Sequence, residues 1–178
     1  MKNTVEGLEE VILSEMSRAN TDFVRDIVLN NSTMFDELFN MVISDTEPLS
    51  RRAIWSLDYC TEKNPDLLTD YHKTQLINNL HHFSHQGLIR HSLRILARYE
   101  IPETISGMFL NICFDLLLNP KTSIASKAWC IDIIYKFSQK EPELKPELIT
   151  AIEFQQENAS AGIKNKSRRM LKKLYLEI

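Results

Sequence analysis

Glycine is scarce in this chain: its 178 residues include only Gly7, Gly87, Gly107 and Gly162, where the usual ~7% would give about twelve. The four stand apart, so no phosphate-cradling loop, dinucleotide fingerprint or series of glycine-borne hairpin turns can be assembled. Most nucleotide enzymes and most all-β folds are excluded. Cysteine is equally uninformative for redox or metal chemistry. Cys60, Cys113 and Cys130 are odd in number, lack C-x-x-C spacing and sit in apolar-periodic segments, which predicts reduced, packed thiols and a cytoplasmic location. Long apolar runs are missing too. The longest, Ile105 to Leu118, is about fourteen residues interrupted by Asn111 and Asp115, a length that suits a buried helix better than a membrane span. The segment Met1 to Asn20 carries four glutamates and no apolar core, so it does not read as a signal peptide. The N-x-S/T triplets at Asn31, Asn158 and Asn165 then read as chance matches.

What the chain does hold is helix periodicity and an uneven distribution of charge. Apolar residues recur at three and four, as in Phe35, Leu38, Phe39 and Val42, and period-two alternation is absent, so the chain reads as all helix. Pro65-Asp66, Pro102-Glu103 and Pro142-Glu143 mark helix starts, with Asn64 as a cap. Pro146 follows Pro142 by one turn, which predicts a helix beginning at Pro146. The net charge of −3 is distributed as −7 over residues 1–48, +3 over 49–140 and +1 over the remainder. Opposite fields at the two ends act on partners rather than on the fold.

The prolines are spaced at 37 and 40 residues, and the segments between them repeat. Leu49 to Leu57 superposes without a gap on Leu88 to Leu96, Ile124 to Asp132 forms a third copy, and Ile163 to Leu171 a weaker fourth. In each copy a small residue, Ala53, Ser92, Ala128 or Ser167, follows an aliphatic one by four positions, leaving room for a neighbouring helix. Five helix pairs are predicted: 4–17 with 21–30, 32–44 with 49–62, 66–83 with 87–99, 103–118 with 122–138, and 146–156 with 162–175. Gly107, inside the apolar helix, predicts a close helix approach.

The stretch Ser44-Asp45-Thr46-Glu47-Pro48-Leu49-Ser50-Arg51-Arg52-Ala53 resembles the loop and second-helix opening of a HEAT repeat, and Asn119 to Ala125 is a looser copy. The resemblance implies an all-α fold, an armadillo-like α-α superhelix of about four to five helix pairs. It frames one solenoid domain over 1–178, with an acidic cap pair at 1–31, central repeats over 32–157 and a basic cap helix at 158–178. The chain is also similar to short bacterial HEAT-like proteins that carry the inherited name adenylosuccinate lyase. That enzyme is a much longer helical-bundle tetramer with a G-S-S-x-x-x-x-K loop. No glycine here precedes Ser-Ser, so the resemblance brings no lyase activity with it.

If the second helix of each pair lines the concave face, as the resemblance implies, Arg52, His91, Lys127 and Lys166 share one column. Arg51 and Arg90 fall beside it, followed by Trp55, Arg94 and Arg169, with Arg98 one turn on. Such a stripe could hold a partner protein or an acidic peptide, with Trp55 as apolar anchor and the cations choosing the ligand. The plainer alternative is a solvated face whose cations pair with acids such as Asp45. A second reading comes from the third copy, which places Asp132 where Leu57 and Leu96 sit, near Trp129. HEAT-like glycosylases acting on alkylated DNA bases use an aspartate and aromatics in a basic groove, so Trp129, Asp132, Lys166 and Arg169 form an alternative nucleic-acid site. The C-terminal helix, with Lys164, Lys166, Arg168, Arg169, Lys172 and Lys173, reads as a cap that could also meet phosphates.

His81, His82 and His85 lack a third ligand in sequence, so no metal or cofactor is expected. Tyr71 reads as packed beside His72. No nucleophile motif such as G-x-S-x-G is present, and the expected function is a non-enzymatic scaffold, either monomeric or weakly oligomeric, with an acidic head meeting a basic tail.

Overall fold

Ser17 separates the first helix from the second: its hydroxyl accepts the backbone N–H of Asn20 at 3.0 Å, leaving α1 at Leu8–Ser14 and opening α2 at Arg18–Asn30. An N-cap oxygen of this kind satisfies a donor that the helix cannot. The computed structural model describes residues 7–156 and 161–178. The triplet at Asn158, and residues 1–6 with Glu6 of the acidic head, lie outside the described residues.

The helices that follow are α3 (Met34–Ile43), α4 (Leu49–Lys63), α5 (Asp70–Asn79), α6 (Gln86–Leu96), α7 (Glu103–Leu118), α8 (Ile124–Ser138), α9 (Leu144–Gln156) and α10 (Ala161–Leu174). Two starts differ from expectation. Asn64 caps only a single 3-10 turn, Pro65–Leu67, because Leu68 is extended and Thr69 begins a new helix, accepting the N–H of His72 while His72 accepts that of Thr69. Helix α9 starts two residues before Pro146. A proline in the first turn gives up a hydrogen bond that could not form anyway, so no break is needed there.

The chain forms two compact units, Met1–Leu96 and Ala97–Ile178. In the first, α4 is the hub, packing against α1, α2, α3 and α6. Its buried face, Leu49, Ala53, Ile54, Leu57 and Cys60, shares the core with Ile12, Val24, Val28, Leu38 and Leu93 of those helices. In the second unit α8 has the corresponding role against α7, α9 and α10, around Phe109, Cys130, Ile134, Ile152 and Leu174.

Burial corrects the repeat register. The buried residues Leu49, Ser50, Ala53, Ile54, Ser56 and Leu57 of α4 match Leu88, Ile89, Ser92, Leu93, Ile95 and Leu96 of α6, as expected. On α8 the same spacing is carried by Ser126, Lys127, Cys130, Ile131, Ile133 and Ile134, two positions later than the sequence alignment. Ile124 directly follows the cap Ser123 and is 52% exposed, so the aliphatic residue that anchored the alignment is outside the core. Ala128 is consequently half-buried, whereas Ala53, Ser92 and Ser167 are fully enclosed.

Three smaller expectations change as well. Nothing lies within 4 Å of the point where a Cβ on Gly107 would sit, so this glycine faces open space rather than a close helix approach. Tyr71 is 64% exposed and His72 is buried, the reverse of the expected packing. Asp45, at φ 50°, pairs with no cation of the stripe. Its carboxylate accepts the N–H and hydroxyl of Ser84 at 2.9 and 3.0 Å, tying together the loops that precede α4 and α6. Short acceptor side chains such as aspartate tolerate the left-handed region that most residues avoid.

Candidate functional site

Asp58 lies in the middle of α4 and is fully buried, where an isolated carboxylate would be very costly. Two side chains one turn apart on α6 compensate it. His91 Nδ1 is 2.7 Å from Asp58 Oδ2, and Arg94 Nη1 donates to the same oxygen at 2.9 Å. His91 Nε2 lies 3.0 Å from Arg90 Nη2. A guanidinium can only donate, so Nε2 accepts and Nδ1–H points at the carboxylate, which assigns the tautomer. Arg94 also lies 3.4 Å from Glu62, with its guanidinium over the Tyr59 ring at 5.6 Å. Burial pulls the Arg94 pKa down, but Asp58, with Tyr59 and Glu62, leaves it raised overall. Arg18 covers the same ring at 4.0 Å and donates to its hydroxyl at 2.8 Å.

Local partners of this kind differ along the basic stripe. Arg52 donates to the carbonyl of Leu13 at 2.8 Å, closing the C-terminal end of α1, where carbonyls lack helical partners. Arg51 Nε is 3.2 Å from Glu47, an ion pair without hydrogen-bond alignment. Trp55 is half-buried in a small recess with Arg52, Ile12 and Met16. Arg90 is exposed. His91 is enclosed, and Arg94 retains 27% of its side-chain surface.

In the second unit Lys127 falls in the inward column of Ser50 and Ile89, not that of Arg52 and His91. It is 8% exposed and donates to Gln155 Oε1 at 2.6 Å, and burial lowers its pKa. Trp129 and Asp132 occupy the outward columns instead, both half-buried. Asp132 is therefore not an acid at an apolar position, and it is paired with Lys166. Arg169 is exposed on α10 with Lys164, Arg168 and Lys172. The structure brings Asp132 and Lys166 together and places Arg90, His91 and Arg94 around Asp58.

A family model for a HEAT repeat domain matches residues 8–174. The chain belongs to the HEAT repeat family. No curated protein and no solved structure gave a significant match. HEAT repeats are helical scaffolds that commonly mediate protein interactions and are generally non-catalytic. Among the described residues no helix is long and apolar enough to cross a membrane, and no three His, Cys, Asp or Glu side chains converge on a possible metal position. His85 instead braces the first turn of α6, where its Nδ1 accepts the N–H of Gly87 at 2.9 Å.

Asp58 is not among the site residues expected from the sequence. The usable signal was the repeat itself, since the position equivalent to Asp58 in the next copy is Ala97. An acid where the next copy has alanine, followed one repeat later by His and Arg three apart, is the pattern of a charge held by the next helix. Asp132 stands out in the same way only in the register that burial corrects.

Proposed function

We propose that this HEAT repeat protein is a non-enzymatic scaffold whose second helices, those that line the concave face in HEAT proteins, bind an acidic segment of a partner protein. The observation that carries this reading is the anchoring of Arg90. Its guanidinium is exposed, yet one nitrogen is held by His91, which is in turn fixed on buried Asp58. A cation held in place loses less freedom on binding than a free one, which favours a specific charged contact over mere solvation. Arg51, Arg94 and the edge of Trp55 complete the face, Trp55 as the apolar element. From beneath, His91 positions Arg90 and Arg52 adds charge, as Lys127 does within the second unit.

A fluorescent glutamate-rich peptide tests the reading by anisotropy at low salt. Binding should fall about tenfold or more in Arg90→Ala, the loss expected of one charge-assisted contact. No binding, or binding indifferent to Arg90 and Arg51, would reject it. A second reading, phosphate-backbone binding, draws support from the acid-free exposed face of α10. Binding to duplex DNA that weakens steeply from about 50 mM salt upwards and depends on Arg168 and Arg169 would favour it.

A further inference from the structure

The cleft beside α3 is a separate feature, independent of the cations on α4 and α6. It has a volume of about 550 Å³ and is lined by Phe35, Asp36, Asp66, Thr69, Tyr71 and His72 among others, with no lysine or arginine in its wall. That size falls within the roughly 300–1,000 Å³ of ordinary ligand sites. We propose that this cleft receives an arginine side chain presented by a partner protein.

The wall of the cleft is built around His72. The residue is only 6% exposed, and its ring lies against Phe39 at 4.5 Å and Phe35 at 5.2 Å between ring centroids. Its Nδ1 accepts the backbone N–H of Thr69 at 3.2 Å, which leaves the proton on Nε2, directed at Asp36 Oδ1 at 2.9 Å. A buried ring locked from behind thus holds the carboxylate of Asp36, whose own side chain is 76% exposed. Asp36 lines the cleft, and with only Oδ1 engaged by His72 its carboxylate keeps acceptor capacity for a ligand. Tyr71 stands alongside, exposed, its ring steeply inclined to that of His72 at 67° with the centroids 5.6 Å apart. Asp66 lines the same wall, fully outside the core.

A fixed carboxylate, a second carboxylate and an exposed aromatic face are together the complement of a guanidinium. Its planar fork bonds carboxylates in pairs, and its face stacks on an aromatic ring. Lysine offers a compact, strongly hydrated charge without the flat face and gains less from Tyr71. The cleft is open to solvent, so it can take a side chain projecting from an extended segment. Free arginine brings its own carboxylate towards Asp36 and Asp66 and is repelled.

The test uses the full chain, labelled with nitrogen-15, titrated with the capped tripeptide acetyl-Gly-Arg-Gly-amide. Amide shifts should be confined to residues 32–40 and 65–73, with lysine and free arginine binding several-fold more weakly. Asp36→Asn and Tyr71→Ala should each reduce affinity about tenfold, and Arg90→Ala should leave it unchanged. Tyr71 is exposed, so its replacement keeps the test valid if Asp36→Asn perturbs folding. Absent or scattered shifts, equal response to a glutamate tripeptide, equal binding of free arginine, or undiminished binding by the folded Tyr71 variant would overturn the proposal.

Discussion

Asp58 and His91 meet at 2.7 Å between Oδ2 and Nδ1, joining α4 to α6 through a carboxylate with no exposed surface. With Arg94 on the same oxygen, the arrangement is an enclosed triad of one ion pair and a neutral imidazole. The cost of such a group depends on whether one member or all are removed. Asp58→Ala leaves an imidazole and a guanidinium facing an emptied polar site and should cost about 3–5 kcal/mol in urea unfolding. Replacing Asp58, His91 and Arg94 together by apolar residues of similar volume should be close to neutral or stabilising. If the single and triple changes cost the same, the triad is not a coupled unit. The apolar triple variant also releases Arg90 from its anchor, so peptide binding should weaken even where stability does not.

The helix pairs were legible because their signals are local: apolar spacing and the proline–acid step Pro102-Glu103 ahead of α7. The α4–α6 register was legible too, since Leu49 to Leu57 and Leu88 to Leu96 carry the same face. The third copy misled because Ile124 imitates the leading aliphatic residue, although α8 buries Ser126 and Lys127 instead. The site was less legible for a physical reason. Whether an arginine faces a partner or its own protein depends on acids in the next helix, as Arg94 and Asp58 show, and such pairing is not periodic. The His72–Asp36 contact spans 36 residues and leaves no mark in either local sequence.

Gly107 sits within α7 with empty space where a side chain would project and with a negative φ. Alanine there introduces no clash and reduces the freedom of the unfolded chain. Gly107→Ala should stabilise the second unit by about 0.5–1 kcal/mol, measured as a rise in Tm of a few degrees. A loss of stability would mean that the position has a contact the fold requires.

The thiols should be chemically silent in the folded protein. Cys60 is fully buried, and burial pushes its pKa up to about 12. Cys113 is raised as well, by burial first and then by the adjacent Cys130 thiol. Thiolate is the reactive form, so an aromatic disulfide reagent near neutral pH should label none of the three cysteines on mixing. All should react at the rate of unfolding, or at once in denaturant. Prompt labelling of Cys113 or Cys130 would show that α7 and α8 separate readily.

Glu177 closes the second unit after α10, accepting the Tyr135 hydroxyl at 2.6 Å and the Gln139 amide at 3.2 Å, with Lys145 Nζ also 3.2 Å away. The Tyr135 hydrogen bond is the largest of the causes that hold its carboxyl below the ordinary carboxylate range, joined by Gln139 and Lys145 against the opposing effect of desolvation. A carboxyl whose pKa is lower folded than unfolded contributes its stabilisation in full above the unfolded value, about 4.3 for glutamate, and loses it as pH falls through the folded value. Glu177→Gln keeps the shape but cannot ionise. The Tm of the native protein should therefore exceed that of the variant by a constant margin above about pH 5.5, and the margin should shrink steadily towards pH 3. A margin independent of pH would place the role of Glu177 in packing rather than charge.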